Sequence, residues 1–200
     1  MASESSDSNK PMATSVKILI AGGFGVGKTT MVATISETPA LCTEEFITEL
    51  STGIDDLQGV ESKVTTTVAL DFGRVTIDDS LVLYLFGTPG QDRFWFLWDE
   101  LARGALGAVV VADTRRLEAA FAPIDYFERR GTAFAVAVNS FETAPHYTPA
   151  EVHDALDLNE QTPVLLCDAR DRDSCKHVLI TLVEHLIQRI SAAPTAHPAR

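Results

Sequence analysis

The chain has 200 residues, of which 46% are hydrophobic and 22% are charged, a composition typical of a folded globular protein and not of a disordered one. Its 28 acidic and 16 basic residues give a formal net charge of −12 at pH 7, which disfavours nonspecific binding to nucleic acid or to anionic lipid. The length predicts one domain with a full hydrophobic core.

Cysteine and histidine are sparse and scattered. Cys42, Cys167 and Cys175 form no pairing motif, which is typical of a reducing compartment, and the five histidines show no metal-binding spacing. No stretch is long and apolar enough to span a membrane, and the polar start of the chain has no apolar signal core. These features predict a cytoplasmic protein without direct membrane insertion, which would reach a membrane only by recruitment through a partner.

Predicted strands and helices alternate along the chain. A polar lead over 1–14 and a proline-containing tail over 192–200 are predicted to be disordered, and they flank one domain over 15–191. Strands are predicted from apolar or alternating runs at 16–20, 64–72, 75–77, 81–86, 108–112, 132–138 and 163–167. Helices are predicted at 29–36, at 117–129, from the capping box at Thr148 onward, and along an apolar stripe from Val178 to Ile190.

This alternation of strands and helices predicts an α/β fold with three layers and a mainly parallel sheet. The short connection between the runs at 75–77 and 81–86 predicts a hairpin, and therefore one antiparallel edge strand.

Residues 21–30 contain the pattern G-x-x-x-x-G-K-[ST] between a predicted strand and a predicted helix, which is the P-loop pattern. Its glycines let backbone N–H groups turn toward phosphate oxygens. Lys28 would place a positive charge at the terminal phosphates, and the Thr29 hydroxyl could ligate Mg²⁺. The pattern predicts a bound nucleoside triphosphate. The predicted nucleotide-binding residues of this segment are Gly22, Gly23, Phe24, Gly25, Val26, Gly27, Lys28, Thr29 and Thr30.

Two further motifs accompany the P-loop. Residues 67–73 read Thr-Val-Ala-Leu-Asp-Phe-Gly, and residues 85–91 read Leu-Phe-Gly-Thr-Pro-Gly-Gln. With these motifs the chain resembles the Ras-like small GTPases, over about residues 16–190. It is most similar to the bacterial MglA-like branch and its conservon-type members, which are encoded beside a sensor kinase and a roadblock-type protein. The resemblance implies GTP and GDP as ligands, Mg²⁺ as cofactor, and roadblock/LC7-type and sensor-kinase-like proteins as partners.

The resemblance also implies two switch segments. Switch I would cover about 39–66, and Thr67 at its end would ligate Mg²⁺ together with Thr29; Thr65 and Thr66 are alternatives. In switch II, the N–H of Gly90 would bond the γ-phosphate.

Catalysis would fall to Gln91, which would orient the attacking water, and to Lys28. One position departs from the family. Gly87 stands where the family has an Asp that supports Mg²⁺ through water, so the expected site lacks one carboxylate.

Base recognition would come from two later segments. Asn139, Ser140 and Glu142 stand in place of the N-K-x-D motif, and a carboxylate at Glu142 could accept the two N–H donors of guanine, a pair that adenine lacks. Asp168, Ala169 and Arg170 occupy the place of the S-A-K loop, where the N–H of Ala169 would meet the guanine O6. These residues predict guanine specificity.

The source of an activating arginine is open, with Arg74, Arg93 and Arg103 as candidates, and the cis arginine of MglA-like proteins is replaced by Thr66. Slow intrinsic hydrolysis is therefore predicted. Five consecutive apolar residues at 94–98 predict a partner surface at Trp95 or Trp98.

The function predicted from these motifs is a GTP-dependent signalling switch that hydrolyses GTP slowly. Two alternatives stand beside it: a nucleotide-bound adaptor that does not hydrolyse GTP, and a P-loop ATPase.

Overall fold

The computed structural model describes residues 13–39, 41–46, 67–90 and 96–192. Seven strands form one sheet in the order β2-β3-β4-β1-β5-β6-β7. The strands are β1 (Thr14–Ala21), β2 (Leu41–Phe46), β3 (Thr67–Asp78), β4 (Leu81–Gly87), β5 (Ala105–Ala112), β6 (Ala133–Asn139) and β7 (Val164–Cys167). Strand β3 pairs antiparallel with both β2 and β4, and the other neighbours pair in parallel.

Helices cover both faces of the sheet, which separates two hydrophobic cores. The helices are α1 (Lys28–Ile35), α2 (Phe96–Ala102), α3 (Phe121–Arg130, preceded by a 3₁₀ turn at Leu117–Ala120), α4 (Pro149–Ala155) and α5 (Arg172–Ala192). Ile18 and Ile20 of β1 face the core beneath α1 and α5, whereas Leu19 faces the core that contains Trp98 and Phe127. Strand β1 is therefore buried on both faces, as its continuous apolar sequence predicts.

The predicted three-layer P-loop fold is confirmed, with two differences in the sheet. The described part of the run predicted at 64–72 and the run predicted at 75–77 belong to one strand, β3, which Gly73 does not interrupt. The antiparallel strand lies one place in from the edge, because β2 covers it. No strand was predicted at β2, since its sequence Leu-Cys-Thr-Glu-Glu-Phe is short and half polar.

The predicted helices are found, and their ends clarify two patterns. Thr148 caps α4 through a capping box with Glu151, as predicted. In α5 the predicted apolar stripe is buried from Val178 to Leu186, but Ile187 and Ile190 are exposed.

Several predictions concern residues outside the described ranges. These are most of the lead and tail, residues 47–66 of switch I, and Gln91, Arg93 and Trp95 of switch II. Within the described residues, no helix combines the length and apolar character that a membrane span requires.

Candidate nucleotide-binding site

The candidate site lies at the edge of the sheet where five parallel strands end. The P-loop follows β1, and the segments that begin at Thr88, Asp113, Ser140 and Asp168 follow β4, β5, β6 and β7. Ligands of open α/β sheets bind at the carboxyl ends of the strands. The topology therefore brings together segments as distant in the sequence as those that begin at Gly22 and at Asp168.

The P-loop backbone requires its glycines. Gly22, Gly25 and Gly27 have φ angles of 138°, 74° and 107°, which disfavour other residues. A Cβ on Gly22 would lie 2.3 Å from the carbonyl oxygen of Val111, so β1 and β5 leave no room for a side chain. Among the described residues, the backbone N–H groups of residues 23–27 donate to no acceptor. They form an open cradle of donors at the start of α1, which suits an anion.

Lys28 lies at the centre of this cradle. Its Nζ donates to the carbonyl oxygens of Gly22, at 2.9 Å, and of Gly23, at 2.6 Å. Burial lowers the pKa of Lys28 to about 8, while the charge of Asp71 acts in the opposite direction. Gly90 covers the ammonium, because a Cβ there would lie 2.6 Å from Nζ. Lys28 and Gly90 therefore lie together, and the sequence predicts that both meet the terminal phosphate.

A buried carboxylate, Asp71 of β3, lies beside Thr29. The Thr29 hydroxyl donates to Oδ2 of Asp71 at 2.6 Å, and Asp71 is only 6% exposed. Gly87 lies across from it on β4, and a Cβ on Gly87 would lie 2.8 Å from Oδ2 of Asp71. The site thus has a carboxylate beside Thr29 although Gly87 replaces the family's Asp. The expectation that the carboxylate is missing is corrected here.

The sequence contained a signal that Asp71 has a special environment. The strand β3 carries one acidic residue between apolar neighbours, Leu70 and Phe72, where a charge is costly unless it has a function or a partner. Only the pairing of β3 with β4 places it at the P-loop. Thr67 begins β3 opposite Phe46 of β2, and its side chain lies outside the description.

Asn139 joins the P-loop to the predicted base loop. Its Nδ2 donates to the Val26 carbonyl at 2.9 Å, and its Oδ1 accepts from the Ala169 N–H at 2.9 Å. The side chain is 5% exposed, so both bonds are shielded from water. Asn139 and Ala169 lie together, and the N–H of Ala169, which was predicted to meet the guanine O6, donates to Asn139 instead.

The remaining predicted base residues lie on the outer side of this loop. Glu142 is exposed, and its charge acts on Arg170. Arg170 itself forms a two-point ion pair with Asp168, with Nε···Oδ1 at 2.9 Å and Nη2···Oδ2 at 3.0 Å. This contact lowers the pKa of Asp168. The three charged side chains therefore lie close together.

Trp98 anchors the end of switch II to the core. It is 1% exposed, and its Nε1 donates to the Pro89 carbonyl at 3.3 Å. Its ring packs edge-on against Tyr126 with centroids 5.2 Å apart. Of the two residues predicted for a partner surface, Trp98 is therefore buried in this structure, because α2 turns the indole inward, and Trp95 lies outside the described residues. Phe96 of the same segment is 52% exposed.

Replacing Trp98 with Phe should lower the free energy of unfolding by about 1 to 3 kcal/mol, because the Pro89 carbonyl loses its buried donor. Phe96→Leu in the same helix should change it by less than about 0.5 kcal/mol, since Phe96 is exposed. Urea unfolding of both variants measures the difference. Equal losses would contradict the anchoring role of Trp98.

The fold and the P-loop define the class of protein: a P-loop nucleotide-binding protein with the fold of Ras-like G domains. The chain belongs to the family described as "Conserved hypothetical ATP binding protein", whose model matches residues 20–189.

Individual relatives agree with this class. The chain is 35% identical over 101 residues to the uncharacterized protein MJ1339 of Methanocaldococcus jannaschii, covering 50% of this chain and 53% of that protein. It is 22% identical to the Ras-related protein SEC4 of Saccharomyces cerevisiae, covering 95% of this chain and 83% of SEC4. The G domain of the T. maritima FeoB iron transporter has the same fold, with a TM-score of 0.61 at 19% identity, covering 86% of this chain and 99% of that domain.

Proposed function

We propose that the protein is a guanine-nucleotide switch that binds GTP with Mg²⁺ and hydrolyses it slowly to GDP. The observation that carries the proposal is the P-loop cradle: backbone N–H groups that donate to no acceptor among the described residues precede a buried lysine at the start of a helix. This arrangement binds the phosphates of a nucleotide. The predicted Gln91 would orient the attacking water beside Gly90.

The residues beside the cradle fit Mg²⁺. The ion takes oxygen ligands and is held in nucleotide sites by few carboxylates together with substrate phosphates. The Thr29 hydroxyl and the buried Asp71 carboxylate provide such oxygens side by side. Thr29 and Thr67 would hold the ion, with Asp71 supporting it, and the bound ion would neutralise charge on the phosphates.

Guanine is the proposed base because of Glu142, whose carboxylate would accept two donors from guanine. SEC4, which matches along most of the chain, is Ras-related. The description of the family names ATP instead, which keeps a P-loop ATPase as the second candidate. The nucleotide that copurifies with the protein tests the choice: GDP or GTP supports a guanine switch, and ADP or ATP overturns it. GTP that persists during purification would favour an adaptor that does not hydrolyse it.

Replacing Glu142 with Ala should weaken GDP binding by about tenfold and leave ADP binding unchanged, because a charge-assisted contact contributes roughly 1.5 to 3 kcal/mol. Glu184→Ala, which removes an exposed carboxylate of α5, is the matched control. Titration with fluorescent GDP and ADP measures both affinities. An unchanged ratio of GDP to ADP affinity in the Glu142 variant would contradict its role in base selection.

The proposed partners come from the resemblance to conservon-type proteins. A roadblock/LC7-type regulator and a sensor-kinase-like protein would read the state of switches I and II. A membrane location would follow from such a partner. Pull-down of the two candidate partners by the GDP-bound and GTP-analogue-bound protein tests this part, and equal capture in both states would argue against a switch.

A further inference from the structure

Two neighbouring arginines follow β5 at the nucleotide edge and have different partners. Arg115 is held by Asp113, with Nη2···Oδ2 at 2.7 Å and Nε···Oδ1 at 3.0 Å. Arg116 donates from Nη2 to the carbonyl oxygen of Phe24, in the P-loop, at 2.7 Å. Within the described part of the chain Arg116 forms no ion pair. Its charge is therefore directed at the P-loop backbone.

The contact with the Phe24 carbonyl affects the cradle directly. The chain has no cis peptide among its described residues, so the carbonyl of Phe24 and the N–H of Gly25 point in opposite directions. Arg116 bonds the outward carbonyl, which leaves the Gly25 N–H pointing toward the other side of the loop. A cation on a carbonyl polarises the same peptide and strengthens its N–H as a donor.

The orientation of this peptide would otherwise be weakly determined. Gly25 has a positive φ of 74° and no side chain to pack, so its backbone can turn easily. A Cβ built on Gly25 would have the guanidinium of Arg116 as its nearest neighbour, at 3.6 Å. Arg116 therefore contacts the cradle at a residue whose own side chain does not fix the backbone.

Arg74 and Arg103, the described arginines that were candidates for the activating arginine, cannot bond the Phe24 carbonyl. Arg74 lies opposite Tyr84, three residues before β4 ends at Gly87. The backbone of Arg103 accepts a bond from Lys17 near the start of β1, at the far end of the strand from the P-loop.

We propose that Arg116 is a positioning residue for the nucleotide phosphates, acting in cis by holding the Phe24–Gly25 peptide with its N–H directed into the cradle. The inference rests on the proposed nucleotide binding and adds the residue that orders the site. It does not require that the bound nucleotide is hydrolysed.

The test compares Arg116→Ala and Arg116→Lys with Arg129→Ala, which removes an exposed arginine of α3. Arg116→Ala should weaken binding of fluorescent GDP by about tenfold, because one donor of the cradle loses its orientation. Single-turnover GTP hydrolysis should slow by about a hundredfold, since small displacements of phosphate-binding groups reduce the rate more than the affinity. Melting temperatures should match the wild type.

Two further measurements separate positioning from general stability. Arg116→Lys, which keeps the charge and can still donate to one carbonyl, should recover part of the GDP affinity. Millimolar guanidinium should partly restore the Arg116→Ala variant and leave the wild type unchanged. Wild-type affinity and rate in Arg116→Ala would overturn the inference, as would equal losses in Arg129→Ala.

The outcomes also separate this inference from the proposed function. If the wild type binds GDP but hydrolyses no GTP, the proposed hydrolysis fails, and the affinity of Arg116→Ala for GDP still decides the role of Arg116. If the wild type binds adenine nucleotides instead, the guanine assignment fails, and the same comparison with ADP decides it.

Discussion

Lys28→Ala is expected to weaken GDP and GTP binding by about tenfold to a hundredfold. The side chain supplies a buried positive charge at the centre of the cradle, and a hydrogen bond to a charged group contributes roughly 1.5 to 3 kcal/mol. Lys17→Ala is the matched control, because Lys17 lies in the first half of β1 and contacts Arg103 and not the P-loop. Equilibrium titration with fluorescent nucleotides measures the difference. Wild-type affinity in Lys28→Ala would contradict the assignment of the phosphate site.

The same lysine predicts a pH dependence of binding. Burial lowers the pKa of Lys28 to about 8 in the nucleotide-free protein, and bound phosphate stabilises the protonated amine. The complex therefore has the higher pKa. Affinity is fully present below about pH 8 and falls as the pH rises above it, a fall that Lys28→Ala should abolish.

The free energy of unfolding changes with pH in the opposite direction to the nucleotide affinity. In the unfolded chain Lys28 keeps its ordinary pKa of 10.5, so between about pH 8 and 10.5 the unfolded state binds more protons than the free folded state. The free energy of unfolding of the nucleotide-free protein should therefore gain a rising contribution from Lys28 over this window. Urea unfolding at several pH values, with Lys28→Ala for comparison, measures it.

Asp71→Asn is expected to weaken the Mg²⁺ affinity of the nucleotide complex by about tenfold to a hundredfold. This range is typical of residues that orient the ligands of a metal site. The substitution keeps the shape of the side chain and removes its charge beside Thr29. Asp78→Asn, at the exposed end of the same strand, is the matched control. Titration of Mg²⁺ at fixed GTP analogue measures the effect.

An exchange of two residues makes this test sharper. Gly87→Asp alone should destabilise the fold, because a Cβ at Gly87 would lie 2.8 Å from the Asp71 carboxylate. The double variant Asp71→Gly with Gly87→Asp moves the carboxylate to the neighbouring strand and removes the clash. The double variant should recover part of the Mg²⁺ affinity that Asp71→Gly alone loses. A wild-type Mg²⁺ affinity in Asp71→Asn would show that Asp71 does not support the ion.

Local sequence patterns predicted the fold class and the phosphate half of the site. The glycine spacing, Lys28 and Thr29 act within ten consecutive residues, so their geometry follows from one turn between a strand and a helix. The sequence also indicated where Asn139 lies, since it directly ends a buried strand whose carboxyl end must lie at the ligand edge. The capping box at Thr148 needed only four neighbouring residues.

The partners of residues distant in the sequence could not be predicted in this way. Either Trp95 or Trp98 was expected at the surface because five apolar residues cannot share one helix face, and only the packing of α2 decided that Trp98 is buried. The edge strand β2 is defined by its pairing with β3, and its own composition does not require a strand.

By itself, the sequence determined that a P-loop begins at Gly22 and that it belongs to an α/β domain, because both depend on spacing along one short segment or on periodic patterns. Only the tertiary structure decided that Asp71 provides the carboxylate absent at Gly87, and that Arg116 bonds the P-loop at Phe24. Strand register and loop packing create these contacts across 42 residues for Thr29 and Asp71 and across 92 for Phe24 and Arg116. Sequence spacing carries no information about which residues meet over such separations.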